Sequence, residues 1–310
     1  MNPRLLPIAA SLFAVSVWSV SFVATKVAVL DGAPMACALI RFVMASAALL
    51  AVHTALGRSL AIPRECWRLV IYGAMTGTTM TFAFENLALT YTTAGNSAML
   101  QALSPMITAA GAWAFLRERL EARQWGGMGL AAAGTAALVG PGVAVTGPGD
   151  ALMGVVMVMG AIYGLCSKEL AGRLPALTAL TWMLVVGTIG LVPFVVVEAT
   201  MVGGWVPPRT GEGWGALAYL GLVSSGVAYL AWQWALARLP VSTVGAFLYL
   251  MPLGTLAVGA AWLGEPLGWS RVGLAAVILL GVYMAVEPSP AGPEKADPTP
   301  SPAPALAGEG

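Results

Sequence analysis

The chain reads as long apolar runs separated by short polar stretches. A helix crossing about 30 Å of hydrocarbon takes roughly 20 apolar residues. By that measure ten segments predict transmembrane helices, at about 5–29, 34–54, 69–90, 94–116, 122–140, 151–171, 175–197, 213–236, 241–263 and 269–286. The first run is longer than the apolar core of a signal peptide, so it is read as a membrane helix. Most connections are short, as antiparallel neighbours in a bundle require. The longer ones, 141–150 and 198–212, are rich in Gly and Pro, which suits turns. From Glu287 to Gly310 the sequence becomes a Pro/Ala/Gly/Glu tail with seven prolines, the composition of a disordered segment.

Composition narrows the class. Of 310 residues, 58% are hydrophobic and 9% are charged. Soluble domains carry roughly 25% charged residues, so this chain cannot cover a water-facing surface. Cys37, Cys66 and Cys166 have unrelated spacings, which argues against a disulfide framework or a metal site. A net charge of +1 gives no reason to expect a nucleic-acid partner, and no motif implies a cofactor. The placement of charge says more. With the N-terminus in the cytoplasm, eleven basic residues fall in inner segments: Arg4, Arg58, Arg64, Arg68, Arg117, Arg119, Arg123, Lys168, Arg173, Arg238 and Lys295. Only Arg209 and Arg271 fall outside. The positive-inside rule then predicts a multi-pass protein of the inner or plasma membrane with both termini cytoplasmic.

The sequence also repeats itself. A shift of 147 residues lays the third to fifth segments on the eighth to tenth without a gap. Tyr72 meets Tyr219, Ala88-Leu89 meets Ala235-Leu236, Pro105 meets Pro252, Glu118 meets Glu265, Gly126 meets Gly273 and Gly134 meets Gly281. Apolar helices share Leu and Ala by chance, but Pro, Glu and Gly in one frame are harder to match. The expected organisation is a first repeat over 1–140, a linker over 141–150, a second repeat over 151–286 and the tail. Five helices per half is an odd number, so the halves start on opposite sides of the membrane. Inverted repeats of this kind recur in secondary transporters and place substrate near the midplane between them.

The same residues carry a resemblance. Trp18, Ser21-Phe22 and Lys26 open the pattern, followed by Pro34, Arg41, Ala88-Leu89-x-Tyr91, Leu103-x-Pro105 and Arg117-Glu118-Arg119-Leu120. The second half repeats it with Tyr219-Leu220-Gly221, Ala228-Tyr229, Leu250-x-Pro252 and Gly264-Glu265-x-Leu267. In this order the chain resembles the EamA family of the drug/metabolite transporter superfamily. The resemblance implies an all-α membrane fold of ten transmembrane helices in two inverted five-helix repeats. It also implies export of small metabolites, often amino acids or drugs.

Candidate pathway residues follow from chemistry inside the membrane. Ionisable groups there are costly and point to function, and the topology sets Lys26, Arg41 and Glu85 at similar depth in the outer half. They suggest an ion network of Glu85 with Lys26 or Arg41, or else a structural clamp with snorkelling basic chains. Trp18, Ser21, Asn86, Gln101, Tyr163, Tyr229, Trp232 and Gln233 could line a cavity for an amphipathic solute; interfacial anchoring and helix packing are the plainer alternatives. Pro105 and Pro252 sit near mid-helix, where each removes a backbone donor and kinks or breaks the helix. Glu118 and Glu265 lie at helix ends, where stabilising the following helix is the simple role. Gly73–Gly77 and Gly160–Gly164 permit close helix contact within a monomer or a weak homodimer.

These features predict a secondary transporter of a small solute in the lipid bilayer, working by alternating access. The chain has no P-loop with which to hydrolyse ATP. A carrier or flippase for lipid-linked or nucleotide-sugar-like substrates is the nearer alternative on the same fold. An intramembrane enzyme is remote, because no convergent set of reactive groups is present.

Overall fold

The computed structural model describes residues 4–30, 32–89, 91, 100–139, 147–255, 257 and 269–286, excepting the side chains of Phe22, Asn86, Leu89 and Val139. Every regular element among them is helical. The first half contains α1 (Leu5–Val29), α2 (Pro34–Ala55) and α3 (Trp67–Ala74), which runs without a break through a π-helical stretch (Met75–Met80) into α4 (Thr81–Leu89). It continues with α5 (Ser104–Phe115) and α6 (Ala122–Val139). The second half contains α7 (Pro148–Ala171), α8 (Ala176–Val202) and α9 (Gly211–Ala218). A second π-helical stretch (Tyr219–Ala228) carries α9 into α10 (Tyr229–Leu236). Then come α11 (Val241–Ala246), a 3-10 stretch (Phe247–Leu250) and, last, α12 (Trp269–Val286).

Six helices among the described residues are long and apolar enough to cross a membrane: Leu5–Val29, Pro34–Ala55, Pro148–Ala171, Ala176–Val202, Gly211–Leu236 and Trp269–Val286. Val241–Thr255 is apolar but shorter. Apolar side chains also cover the outside. Ile189, Val192, Val196, Val197 and Met201 of α8 are all exposed, as are Leu279, Leu280 and Tyr283 of α12. Contiguous apolar surface of that kind does not survive in water; lipid is the solvent that fits it.

Local chemistry sets the helix limits. Pro34 and Pro148 occupy the first turns of α2 and α7, where a missing N–H costs nothing. The Asp150 carboxylate accepts the Gly147 N–H at 3.1 Å, so α7 starts at Pro148, inside the segment read from sequence as linker. α8 likewise runs to Val202, past the expected 197, and closes on Gly203 at φ 78°, a left-handed position that favours glycine.

The small residues pack inside the bundle. A Cβ on Gly77 would lie 2.2 Å from the Tyr163 ring, and one on Gly73 would lie 2.4 Å from the Met183 methyl carbon. Backbone meets backbone where α6 crosses α12: a Cβ on Gly281 would lie 2.5 Å from the Ala131 amide nitrogen, and one on Gly127 would lie 2.6 Å from the Gly281 carbonyl oxygen. Backbone cannot yield as a side chain does. Gly281→Ala should therefore cost about 1–3 kcal/mol through overpacking and lower the melting temperature in detergent. Gly126→Ala, with open space around its Cβ, should leave it unchanged.

Candidate functional site

The cluster is built around Arg41, on α2. Its guanidinium is buried and reaches the second half: Nε donates to Ser225 Oγ at 2.7 Å and Nη2 to Ser224 Oγ at 3.1 Å. Both serines lie in the π-helical stretch Tyr219–Ala228. The cation also sits 5.2 Å and 5.3 Å from the ring centroids of Phe42 and Phe82, within cation–π range. Ser21 of α1 donates to Ser224 Oγ at 2.9 Å, so three elements meet on one hydroxyl.

Glu85 lies on α4. Its carboxylate accepts from the Gln101 amide at 3.2 Å, just ahead of the turn that precedes α5. Arg41 and Glu85 therefore each have neutral hydrogen-bond partners and form no direct ion pair. They still lie close enough, with Tyr229, for charge to act between them. Lys26 stands elsewhere. It is exposed in the last turn of α1 and shares none of these contacts, so the ion network expected from sequence is replaced by two separately hydrogen-bonded groups, Arg41 and Glu85. The Asn86 side chain lies outside the described residues.

An aromatic wall adjoins the charges. The Trp18 ring centroid is 5.0 Å from those of both Tyr229 and Trp232, and Tyr229 is 6.2 Å from Tyr163. The Trp18 indole N–H donates to the Ser224 carbonyl at 3.3 Å, a backbone acceptor inside the π stretch. Gln233 is buried, and its amide donates to Tyr163 Oη at 3.2 Å and Ser167 Oγ at 3.0 Å. Trp232 is also buried, which removes the alternative of an interfacial belt residue.

Both prolines stand at helix interruptions. Pro105 occupies the first turn of α5, directly after the turn at Ala102–Leu103. Pro252 follows the 3-10 stretch Phe247–Leu250. Side-chain hydroxyls serve the irregular backbone there. Ser19 Oγ donates to the Met251 carbonyl at 3.2 Å, and Thr255 Oγ1 donates to the Ser19 carbonyl at 3.2 Å.

The model of the EamA-like transporter family matches residues 5–140 and, a second time, residues 147–286. The chain belongs to the EamA-like transporter family. Among its relatives it is 30% identical over 277 residues to an uncharacterized transporter of Archaeoglobus fulgidus, spanning 86% of this chain and 93% of that one. It is also 30% identical over 279 residues to a probable terminal-alkyne amino-acid exporter of Streptantibioticus cattleyicolor, spanning 87% and 92%. A solved crystal structure superposes with a TM-score of 0.77 at 22% identity, covering 90% of this chain and 97% of that one; this shows likeness of fold alone. This EamA-like chain is a multi-pass membrane transporter, with a small-molecule solute and membrane lipid as its surroundings.

Reading the EamA-like sequence alone missed Ser224 and Ser225. Their signal was weak but present: the shift of 147 lays Gly77-Thr78 of one π stretch on Ser224-Ser225 of the other. Glu118 needs a correction. It was expected to stabilise the helix that follows it. Instead its carboxylate accepts from the Val241 N–H at 2.8 Å, at the start of α11 in the other half. Glu265 lies outside the described residues. Ser224→Ala would leave Arg41 and Ser21 each short of a partner. Losing a hydrogen bond to a buried charge costs about 1.5–3 kcal/mol, so the variant should melt well below wild type in detergent. Ser16→Ala, on an exposed residue, should not.

Proposed function

We propose that this chain is a ten-helix exporter of the inner membrane that moves small amphipathic solutes, amino acids and related compounds among them, by alternating access. The two five-helix repeats are inverted, both termini face the cytoplasm, and the solute binds between the halves. The observation that carries this reading is the constellation at the seam: Arg41 and Glu85 on one side, Trp18, Tyr229 and Trp232 on the other. A solute with a charged head and an apolar body needs both surfaces. Nη1 of Arg41 has no acceptor among the described residues, so a carboxylate can approach the guanidinium without displacing Ser224 or Ser225.

Three further features support it. Helix irregularities come in repeat-related pairs, the π stretches at Met75–Met80 and Tyr219–Ala228 and the breaks at Pro105 and Pro252. Transporters concentrate irregular backbone where it lines a pathway. The eleven-to-two distribution of basic residues supports cytoplasmic termini. The relative from Streptantibioticus cattleyicolor is named an amino-acid exporter, which supports the solute class.

Cells overexpressing the protein should release one or more amino acids, or resist their toxic analogues, more than cells with empty vector. No change for any solute would refute the exporter reading. Glu85→Gln should cut that export about tenfold or more, as expected when a charged hydrogen-bonding group is lost from a binding site, while expression stays normal. If export persists and expression falls, Glu85 is a structural clamp.

A further inference from the structure

A second set of charged groups lies away from the aromatic cluster, where the turn between α10 and α11 meets the first half. Two side chains grip that turn. The Glu118 carboxylate accepts from the N–H groups of Val241 and Ser242 at 2.8 Å and 3.2 Å, and from the Ser242 hydroxyl at 2.8 Å. Lys168 Nζ donates to the carbonyls of Leu236 and Leu239 at 2.8 Å and 2.7 Å. An anion thus caps the start of α11 and a cation caps the end of α10, each with the sign that helix end favours. Lys168 and Glu118 also lie within electrostatic reach of each other. Glu118 belongs to the first repeat; Lys168 and the turn belong to the second.

A different contact between the halves is bonded at several levels. α2 and α8 are fastened along their whole length. At one end the Glu198 carboxylate accepts from the Met35 N–H at 2.9 Å and the Ala36 N–H at 3.0 Å. Midway, the Ser46 and Thr188 hydroxyls meet at 3.3 Å. At the other end His53 Nε2 lies 3.3 Å from Thr178 Oγ1, and the Trp182 indole donates to the Leu60 carbonyl at 2.8 Å. Separating that pair would break hydrogen bonds at all three levels. The Glu118 grip is different. It holds one turn at one end of the bundle, beside an open cleft lined by Leu116, Glu118, Lys168, Glu169, Gly172 and Arg173. Water in that cleft can take over its hydrogen bonds on release. Behind it the Thr108 methyl group wedges between helices: Cβ atoms built on Gly164 and Gly245 would lie 3.5 Å and 3.9 Å from it.

We propose that Glu118 is a positioning residue of the transport cycle, which latches the α10–α11 turn to the first half and holds the cytoplasmic mouth closed, with Lys168 bracing that turn within the second half, while the α2–α8 pair is the pivot. This rests on the alternating-access reading and the topology proposed above. Release of Glu118 frees the start of α11 and opens the path past Thr108 to the cytoplasm.

The test reads accessibility rather than flux. Cys37, Cys66 and Cys166 are replaced by Ser, and Thr108→Cys, at a buried position, becomes the reporter. A membrane-impermeant maleimide is applied to each face of sealed vesicles. Adding Glu118→Gln should speed labelling from the cytoplasmic face about tenfold, the population shift that follows from losing one charge-assisted hydrogen bond, with no gain from the other face. Unchanged labelling, or a gain from the opposite face only, overturns the latch. Glu118→Cys with Ser242→Cys, joined by a short bis-methanethiosulfonate, gives a second check that does not depend on the Gln variant folding. Crosslinking should abolish solute flux and reductant should restore it; full flux in the crosslinked protein overturns the proposal. Labelling needs no solute, so its result stands whether or not the exporter reading does.

Discussion

Arg41 is the most demanding group in this fold. A buried arginine within a membrane helix costs up to about 2.5–3.5 kcal/mol on insertion scales, the value at the helix centre. Its own half supplies the faces of Phe42 and Phe82, but the hydroxyls of Ser224 and Ser225 come from the other half. Each bond to a charged group returns about 1.5–3 kcal/mol, so the cation is stable only when the halves are together. α2 is held against the second half by that requirement. Ser21 and Trp18 meet the same Ser224, and Tyr229 and Trp232 pack against Trp18. A polar seam between the halves follows from one buried guanidinium.

The π-helical stretch is what lets the second half meet this demand. A widened turn displaces backbone from the regular ladder and leaves the Ser224 carbonyl facing the Trp18 indole while its hydroxyl serves Arg41 and Ser21. The first half carries a π stretch at the corresponding place but different chemistry. Gly77 stands where Ser224 stands, and the Tyr163 ring fills the space above it. Glu85 stands where Trp232 stands. Repeated backbone thus carries unlike side chains, a carboxylate in one half and an indole at the matching position of the other.

How much of this was legible in the sequence depended on whether a feature lives in one helix or between two. Apolar runs and helix limits are local, so the all-helical class was readable, and six helices among the described residues are long and apolar enough to cross a membrane; α7 and α8 ran longer than expected because Asp150, Pro148 and Gly203 define their ends more sharply than hydropathy does. Arg41, Glu85, Trp18 and Tyr229 stood out because polar and aromatic residues are conspicuous in an apolar helix, although their grouping is a matter of packing that no spacing encodes. Lys26 looked equivalent to Arg41 by depth, yet it points away, because depth does not determine which face of α1 turns inward. The serines escaped notice because two small hydroxyls in a membrane helix are ordinary. The π stretches had no signature beyond small and hydroxyl residues at matching positions. Glu118 was misplaced because a helix end can be capped from across the bundle as well as by its chain neighbour.

The central claim is that the solute sits at the seam between Arg41 and the aromatic wall. A structure determined with an exported amino acid bound tests it most directly. The account predicts the solute carboxylate within hydrogen-bonding distance of the Arg41 guanidinium, with its apolar body against Trp18, Tyr229 and Trp232. Solute bound elsewhere, with Arg41 still held by Ser224 and Ser225 alone, would contradict it.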